Sequence, residues 1–332
     1  MSAQPSYSRM DCLVSASAER LQVLHTASES RLPEEWIENM RERADRLDAS
    51  EAQFTLGQYY FSREAYTEAL GYFERAIASP TEERSQAQYQ LGVMYYDGLG
   101  VQPDMARGFQ YMMDVASSSS ANKRDTNLLP SAQYNVGRAY FMGYGVQQSD
   151  SEAEKWWSLA GNHGDDPSSV RAQNTLGMFY SRQETFDPNK AFHWTELAAE
   201  SNHLEAMASL GLLCVRSSNH GDEEGLQWLK RSCVGGCVYG TGLLSHFYFI
   251  RKLFSKAAET AFKVSELDDE VSLSPLDCRG VAIGCFVLGR CLQLGQAVTR
   301  DDEKALHYYT KATGLDKRVV AELHDLLTHG KV

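Results

Sequence analysis

The sequence predicts an all-α, right-handed superhelix of about seven helix–turn–helix units, and three observations predict it. A short block recurs along the chain, its interval is the length of one helix pair, and the apolar positions inside each copy fall at helical spacing. The block reads Ala52-Gln-Phe-Thr-Leu-Gly57-Gln-Tyr-Tyr60, then Ala87-Gln-Tyr-Gln-Leu-Gly92-Val-Met-Tyr95, Ala132-Gln-Tyr-Asn-Val-Gly137-Arg-Ala-Tyr140 and Ala172-Gln-Asn-Thr-Leu-Gly177-Met-Phe-Tyr180. Weaker copies centre on Gly211, Leu244 and Gly289, so the key positions step at about 33 to 45 residues.

Each copy is the first helix of a pair, helix A. Its alanine, the aliphatic before the glycine and the aromatic after it stand at i, i+4 and i+8, along one side of a helix. Helix B follows, with small residues about seven apart around aromatics: Ala69, Tyr72, Phe73, Ala76; Ala153, Trp156, Trp157, Ala160; Ala191, Trp194, Ala198; Ala305, Tyr308, Tyr309, Ala312. Seven residues is about two turns, so the alanines share a face on which helix A approaches closely, and the rings are expected to fill the space between neighbouring units.

The turn between the helices has its own signature, Asp97-Gly98-Leu-Gly100-Val101-Gln-Pro-Asp104 and Met142-Gly143-Tyr-Gly145-Val146-Gln-Gln-Ser-Asp150. The two glycines accept positive φ, the valine anchors the turn, and the later aspartate, Asp104 or Asp150, is placed to cap helix B. Gly98-x-Gly100 is no dinucleotide fingerprint, since the third glycine and the preceding strand are missing. The first unit has the shorter turn Phe61-Ser-Arg-Glu-Ala-Tyr66.

Residues 1–30 are Ser-rich and polar and are expected to be disordered or weakly ordered ahead of an array spanning 31–332. Ser117 to Ser131 and Ser265 to Cys278 read as loops between units. The short amphipathic stretch from Val319 to Leu327 is expected to cap the last unit, with no role of its own.

Composition removes several function classes. Among 332 residues, 43% are hydrophobic and 23% charged, and no run approaches the roughly 20 apolar residues of a membrane span. A net charge of -12 repels phosphate backbones and acidic lipid, which excludes nucleic acid and direct membrane insertion as expected partners. The start lacks the apolar core of a secretory signal, and seven irregularly spaced cysteines fit reduced thiols, so the expected compartment is cytoplasmic.

The succession Ala-x-x-x-Leu-Gly-x-x-Tyr, Gly-x-Gly-Val and Ala-x-x-Trp/Tyr-x-x-x-Ala resembles the Sel-like repeat family, a relative of the tetratricopeptide repeat. The blocks Ala87 to Gly100, Asn135 to Tyr140, Arg290 to Gly295 and Ala321 to Leu327 are similar to a member that binds the endocytic receptor megalin. The resemblance covers roughly residues 50 to 330. It implies a non-enzymatic scaffold or adaptor whose protein partner is the cytoplasmic tail of megalin. The sequence departs from the family motif at Ser181-Arg-Gln-Glu-Thr and Val215-Arg-Ser-Ser-Asn, which lack the glycine pair, and at Leu244. The alternative is a chaperone-type or regulatory tetratricopeptide adaptor gathering other proteins, with Leu32 to Leu47 as an accessory helix.

In tetratricopeptide arrays the A helices line the concave face. By that analogy the residues three before, one after and four after the key glycine look into the groove. They are Phe54, Gln58 and Phe61, then Tyr89, Val93 and Tyr96, then Tyr134, Arg138 and Phe141, with Asn174, Met178, Ser181, Ala208 and Leu212 further on. Tyr, Phe and Arg dominate interface energetics and suit an extended peptide, although the same rings could be packing between units. Arg138 and Arg290 each follow a key glycine and could pair with an acidic group of a partner or with a local glutamate.

Catalytic and metal chemistry find no foothold. Cys233-x-x-x-Cys237 near His246 lacks paired zinc spacing, and there is no His-Glu-x-x-His, Gly-x-Ser-x-Gly or phosphate loop. No cofactor, metal or small-molecule substrate is expected.

Overall fold

A computed structural model of the chain describes residues 34–47, 49–78, 80, 81, 83–118, 123–216, 221–267 and 273–329, with the backbone alone for 123–127 and 326–329. The expected disorder of 1–30 lies outside these residues. All regular structure among them is helical. The chain divides into two compact units, 1–172 and 173–332.

The first unit begins with α1 (Glu34–Arg46) and continues with the pairs α2 (Ser50–Ser62) with α3 (Tyr66–Ala76), α4 (Arg84–Asp97) with α5 (Met105–Ala116), and α6 (Lys123–Met142) with α7 (Asp150–Gly161). Helix α1 is tied down by polar bonds. Gln53 donates to the Ala44 carbonyl at 3.2 Å, and Arg75 reaches both that carbonyl and Asp45. The second unit takes over within α8 (Pro167–Tyr180), which precedes α9 (Pro188–Glu200). The pairs α10 (Leu204–Arg216) with α11 (Asp222–Val234), α12 (Val238–Ile250) with α13 (Phe254–Ser265), and α14 (Pro275–Leu294) with α15 (Asp302–Leu315) follow, then α16 (Lys317–His329).

Where helix A keeps the key glycine, helix B crosses there. A methyl group on Gly57 would lie 2.6 Å from the Phe73 ring, on Gly92 2.9 Å from Met112, on Gly137 2.5 Å from Trp157 and on Gly211 2.8 Å from Leu229. The large residue of helix B therefore sits over the glycine of its own pair. Phe73 and Trp157 need a site without a side chain, which the glycine supplies, and the expected packing between units holds as well: Phe73 shares a core with Ala87 and Leu91 of the next pair, and Trp156 packs against the core that holds Tyr89 and Val93 of the preceding one. The alanines behave as their spacing predicts, with Ala69, Ala76, Ala153, Ala160 and Ala198 fully buried.

Both glycines of the turn are left-handed, at φ 69° and 70° for Gly98 and Gly100 and 72° for Gly143 and Gly145. The second has a further duty. A methyl group on Gly100 would lie 2.5 Å from the Tyr66 backbone, and one on Gly145 would strike the Met105 carbonyl, so each turn seats on the start of the preceding helix B. In the last pair the equivalent residues are Gly295 and Ala297, both with φ 63°, so an alanine holds a left-handed position there.

Asp104 caps α5, accepting from the Arg107 amide at 3.0 Å. In the next pair the cap is Ser149, which accepts from Glu152 at 3.3 Å, while Asp150 is the first helical residue. The expected Asp150 cap is thus displaced by one residue, and the serine hydroxyl satisfies the same orphan amide. The region 117–131 is also corrected, because helix α6 starts at Lys123 and carries Pro130 in its interior. Burial of Leu128, Ser131 and Ala132 holds a segment that the serine run and the polar Asn122-Lys-Arg-Asp stretch marked as a loop. Between α13 and α14 the expected loop is shorter than 265–278, since Ser265 closes one helix and Pro275 opens the next.

Candidate interaction site

In the first unit the A helices α2, α4 and α6 carry the predicted row. The residue three before the key glycine is packing in two of three pairs. Phe54 is 5% exposed and meets Phe73 in a tilted ring contact at 5.8 Å between ring centres, and Tyr89 is 4% exposed with its hydroxyl accepting from Asn135 at 3.0 Å. Val93 is buried as well. Tyr134 is half-buried, with the Arg171 guanidinium 5.2 Å from its ring centre.

The remaining positions stay accessible. Gln58, Phe61, Tyr96, Arg138 and Phe141 are all half-buried. Phe61 rests on Tyr66 at 5.3 Å and Phe141 on Trp157 at 5.4 Å, which fixes both rings. The Tyr96 hydroxyl is buried without a partner among the described residues. Burial raises its pKa strongly, with Arg138 pulling it back; the Asp97 carboxyl is raised by the same desolvation and lowered by the same arginine. Arg138 makes no ion pair among the described residues, so beside the Arg171 guanidinium on Tyr134 this stretch presents a second cation, one unsatisfied hydroxyl and several fixed rings.

Arg290, the other arginine after a key glycine, donates to the Gln293 side chain at 2.9 Å, and no carboxylate takes it up among the described residues. Cys237 caps α12, its sulfur accepting from the Gly240 amide at 3.4 Å. No group of three or more His, Cys, Asp and Glu among the described residues is placed to hold a metal. No helix there is long and apolar enough to cross a membrane.

The second unit contains a hollow that the sequence did not reveal. It encloses about 1140 Å³, with Met178 and Ser181 of α8, Leu212 and Arg216 of α10, Tyr239 of α12 and Arg279 of α14 in its wall. Met178, Ser181 and Leu212 are the one-after and four-after positions, whereas Asn174 and Ala208, three before, are buried. An adjoining recess of about 450 Å³ shares Leu212, Arg216, Tyr239 and Arg279 and is floored by His246, Phe247 and Ile283.

Helix α16 also lines both spaces. Val319 and Leu323 join the apolar core, while Glu322 faces the hollow and pairs with Arg279 at 3.2 Å. The expectation of a helix that only caps is therefore corrected: the amphipathic pattern has its apolar side on the core and its acidic side in the hollow. His246 lies half-buried in the recess with its Nε2 unpartnered, and desolvation, then the nearby Arg216 charge, lower its pKa to about 4.

Helix pairs of this size, a helix-A glycine under a residue of helix B and, in two of the pairs, a two-glycine turn are the marks of one repeat type. The Sel1 repeat model matches residues 50–79, 85–112, 130–165, 170–203 and 282–316. The chain carries Sel1 repeats. Between the fourth and fifth matches lie the pairs α10 with α11 and α12 with α13, where the turn glycines are lost. A protective antigen of uropathogenic Escherichia coli that displays an SLR fold is similar in structure, with a TM-score of 0.66 and 22% identity. That match covers 89% of this chain and 60% of the antigen, so the chain spans about three fifths of its length. A Sel1 repeat protein from Oxalobacter formigenes is similar at TM-score 0.57 and 20% identity, covering 78% of this chain and 96% of that one. Both likenesses concern the fold. Sel1 repeat proteins typically act as protein-interaction scaffolds.

Proposed function

We propose that this Sel1 repeat chain is a non-enzymatic cytoplasmic adaptor that holds a linear segment of a partner protein against its A helices. The observation that carries the reading is the stretch Tyr96, Tyr134, Arg138 and Phe141. Rings fixed by their neighbours flank a guanidinium without an ion pair and a hydroxyl without a hydrogen-bond partner among the described residues. An extended peptide satisfies both polar groups and buries the rings, and pre-fixed rings lose little entropy when they are covered. The named candidate is the cytoplasmic tail of megalin, supported by the similarity of the Ala87 to Gly100 and Ala321 to Leu327 blocks to a megalin-binding member of the family.

The test is fluorescence anisotropy of a labelled synthetic megalin tail titrated with the full chain and with a Tyr134→Ala, Arg138→Ala, Phe141→Ala variant. The variant binds at least about tenfold more weakly, near 1.4 kcal/mol, with helicity unchanged. Equal affinity for both proteins refutes the groove, and no saturable binding of the tail to either refutes megalin as the partner.

A further inference from the structure

We propose that the hollow of the second unit is a docking site for an acidic segment of a partner protein in which a carboxylate neighbours an aliphatic side chain. This deepens the adaptor reading and rests on it, but it moves the contact to different residues and gives the partner a chemistry.

The argument begins with charge. The chain carries a net charge of -12, yet Arg216 and Arg279 converge on one space, from α10 and α14. Arg216 makes no ion pair among the described residues. Arg279 spends one terminal nitrogen on Glu322 at 3.2 Å and leaves its Nε buried with no partner. A second carboxylate entering the hollow meets the unpaired Arg216 and the remaining donors of Arg279, and such charge-assisted bonds are about twice as strong as neutral ones. Glu322 and Asp325 also line the hollow, and the chain's net charge of -12 repels an acidic ligand at long range, so the attraction is local to the arginines.

The walls dictate the rest of the ligand. Leu212, Tyr239 and Ile283 line the recess next to the arginines, and Ile250 at its rim is 45% exposed. An aliphatic side chain one or two residues from the carboxylate fits this space. The chain displays the pairing itself: Glu322 takes Arg279 while the adjacent Leu323 is buried against the same core. About 1140 Å³ stays open with α16 in place, so the partner segment lies alongside that helix and offers a second copy of the acid–leucine pattern to the unpaired Arg216. The His246 Nε2 is left to bond a backbone group of that segment.

The experiment is selection of a random dodecapeptide library displayed on phage against the immobilised full chain. Binding of the winners is then measured as synthetic peptides on wild type, Arg216→Glu, Arg279→Glu and the Tyr134, Arg138, Phe141 triple variant. Circular dichroism checks that each protein is folded, and Arg216 is exposed enough for its exchange to leave the core untouched. The expected result is enrichment of peptides with Asp or Glu within two residues of Leu, Ile, Val or Met, a tenfold or larger loss of affinity on Arg216→Glu, and weaker binding at higher salt. Winners without an acidic residue, or with full affinity for Arg216→Glu, overturn the proposal. Winners lost only on the triple variant overturn it while leaving the adaptor reading intact. Absence of any enrichment overturns it too, and the megalin-tail titration then decides the adaptor reading separately.

Discussion

His246 gives the fold a specific sensitivity to acid. In the folded chain its pKa is lowered to about 4, first by desolvation in the recess and then by the Arg216 charge, against an ordinary 6.5. The native state therefore holds a neutral imidazole, and the unfolded chain takes up the proton as pH falls through 6.5. The unfolded state binds more protons in that window, so stability present above pH 6.5 is lost progressively toward pH 4. Other charges facing the recess are Arg279 and Glu322, which are already paired with each other. Integrating the two titrations gives a loss of about 2.5 kcal/mol between pH 7.5 and 4.5, on an order-of-magnitude scale. The assay is urea unfolding of wild type and His246→Gln at several pH values across this range. Carboxylates elsewhere titrate equally in both proteins, so the difference between the two profiles isolates the imidazole. The variant loses about 2.5 kcal/mol less than wild type over the same interval. Parallel profiles refute the reasoning and mean that the recess admits enough water to hydrate the cation.

Four further outcomes follow from packing, conformation and burial. Gly145→Ala suffers both the left-handed backbone, about 1–2 kcal/mol, and a collision with the Met105 backbone, about 1–3 kcal/mol more, so its urea midpoint falls clearly. Ala297→Gly relieves the left-handed alanine and raises stability by up to about 1 kcal/mol, while an unchanged or lowered midpoint contradicts the turn equivalence. Replacing Ala153 or Ala160 with Leu overpacks the helix-A contact and costs on the order of 1–3 kcal/mol in the same unfolding assay. Cys214 and Cys291 are buried, with thiol pKa values pushed up to about 11, so alkylation at pH 8 followed by peptide mapping labels Cys233 and Cys278 well before either.

The repeat, the helix pairs and the left-handed glycines were legible because each is a local pattern. Ala153 and Ala160 stand two turns apart, and Gly143 with Gly145 marks a turn, whatever surrounds them. What the spacing could not supply was depth. Tyr89 and Tyr134 occupy the same repeat position, yet Tyr89 is core and Tyr134 half-exposed, because the residues facing them differ from pair to pair. The polar run from Ser117 misled for a related reason: helix α6 begins at Lys123 and keeps Pro130 in its interior, where Leu128 and Ala132 are buried on either side.

The hollow of the second unit was hidden more completely. Its wall runs from Gly177 to Asp325, and Arg216, His246, Arg279 and Glu322 come from four helices with no common motif. The groove rule did select Met178, Ser181 and Leu212, and Arg216 is one residue beyond the four-after position of its pair. What the rule lacked was Arg279, which stands on no repeat position that it selects. The pairing of Arg279 with Glu322, 43 positions later in the chain, needed the fold.

The adaptor account stands on which face of the helix pairs meets the partner. The direct test is site-specific photo-crosslinking to the megalin tail, with p-benzoylphenylalanine in place of Phe141 on helix A or of Lys155 on helix B, whose side chain is 59% exposed. The account predicts a tail crosslink from position 141 that an excess of unlabelled tail suppresses, and none from position 155. A crosslink from 155 with none from 141 contradicts it.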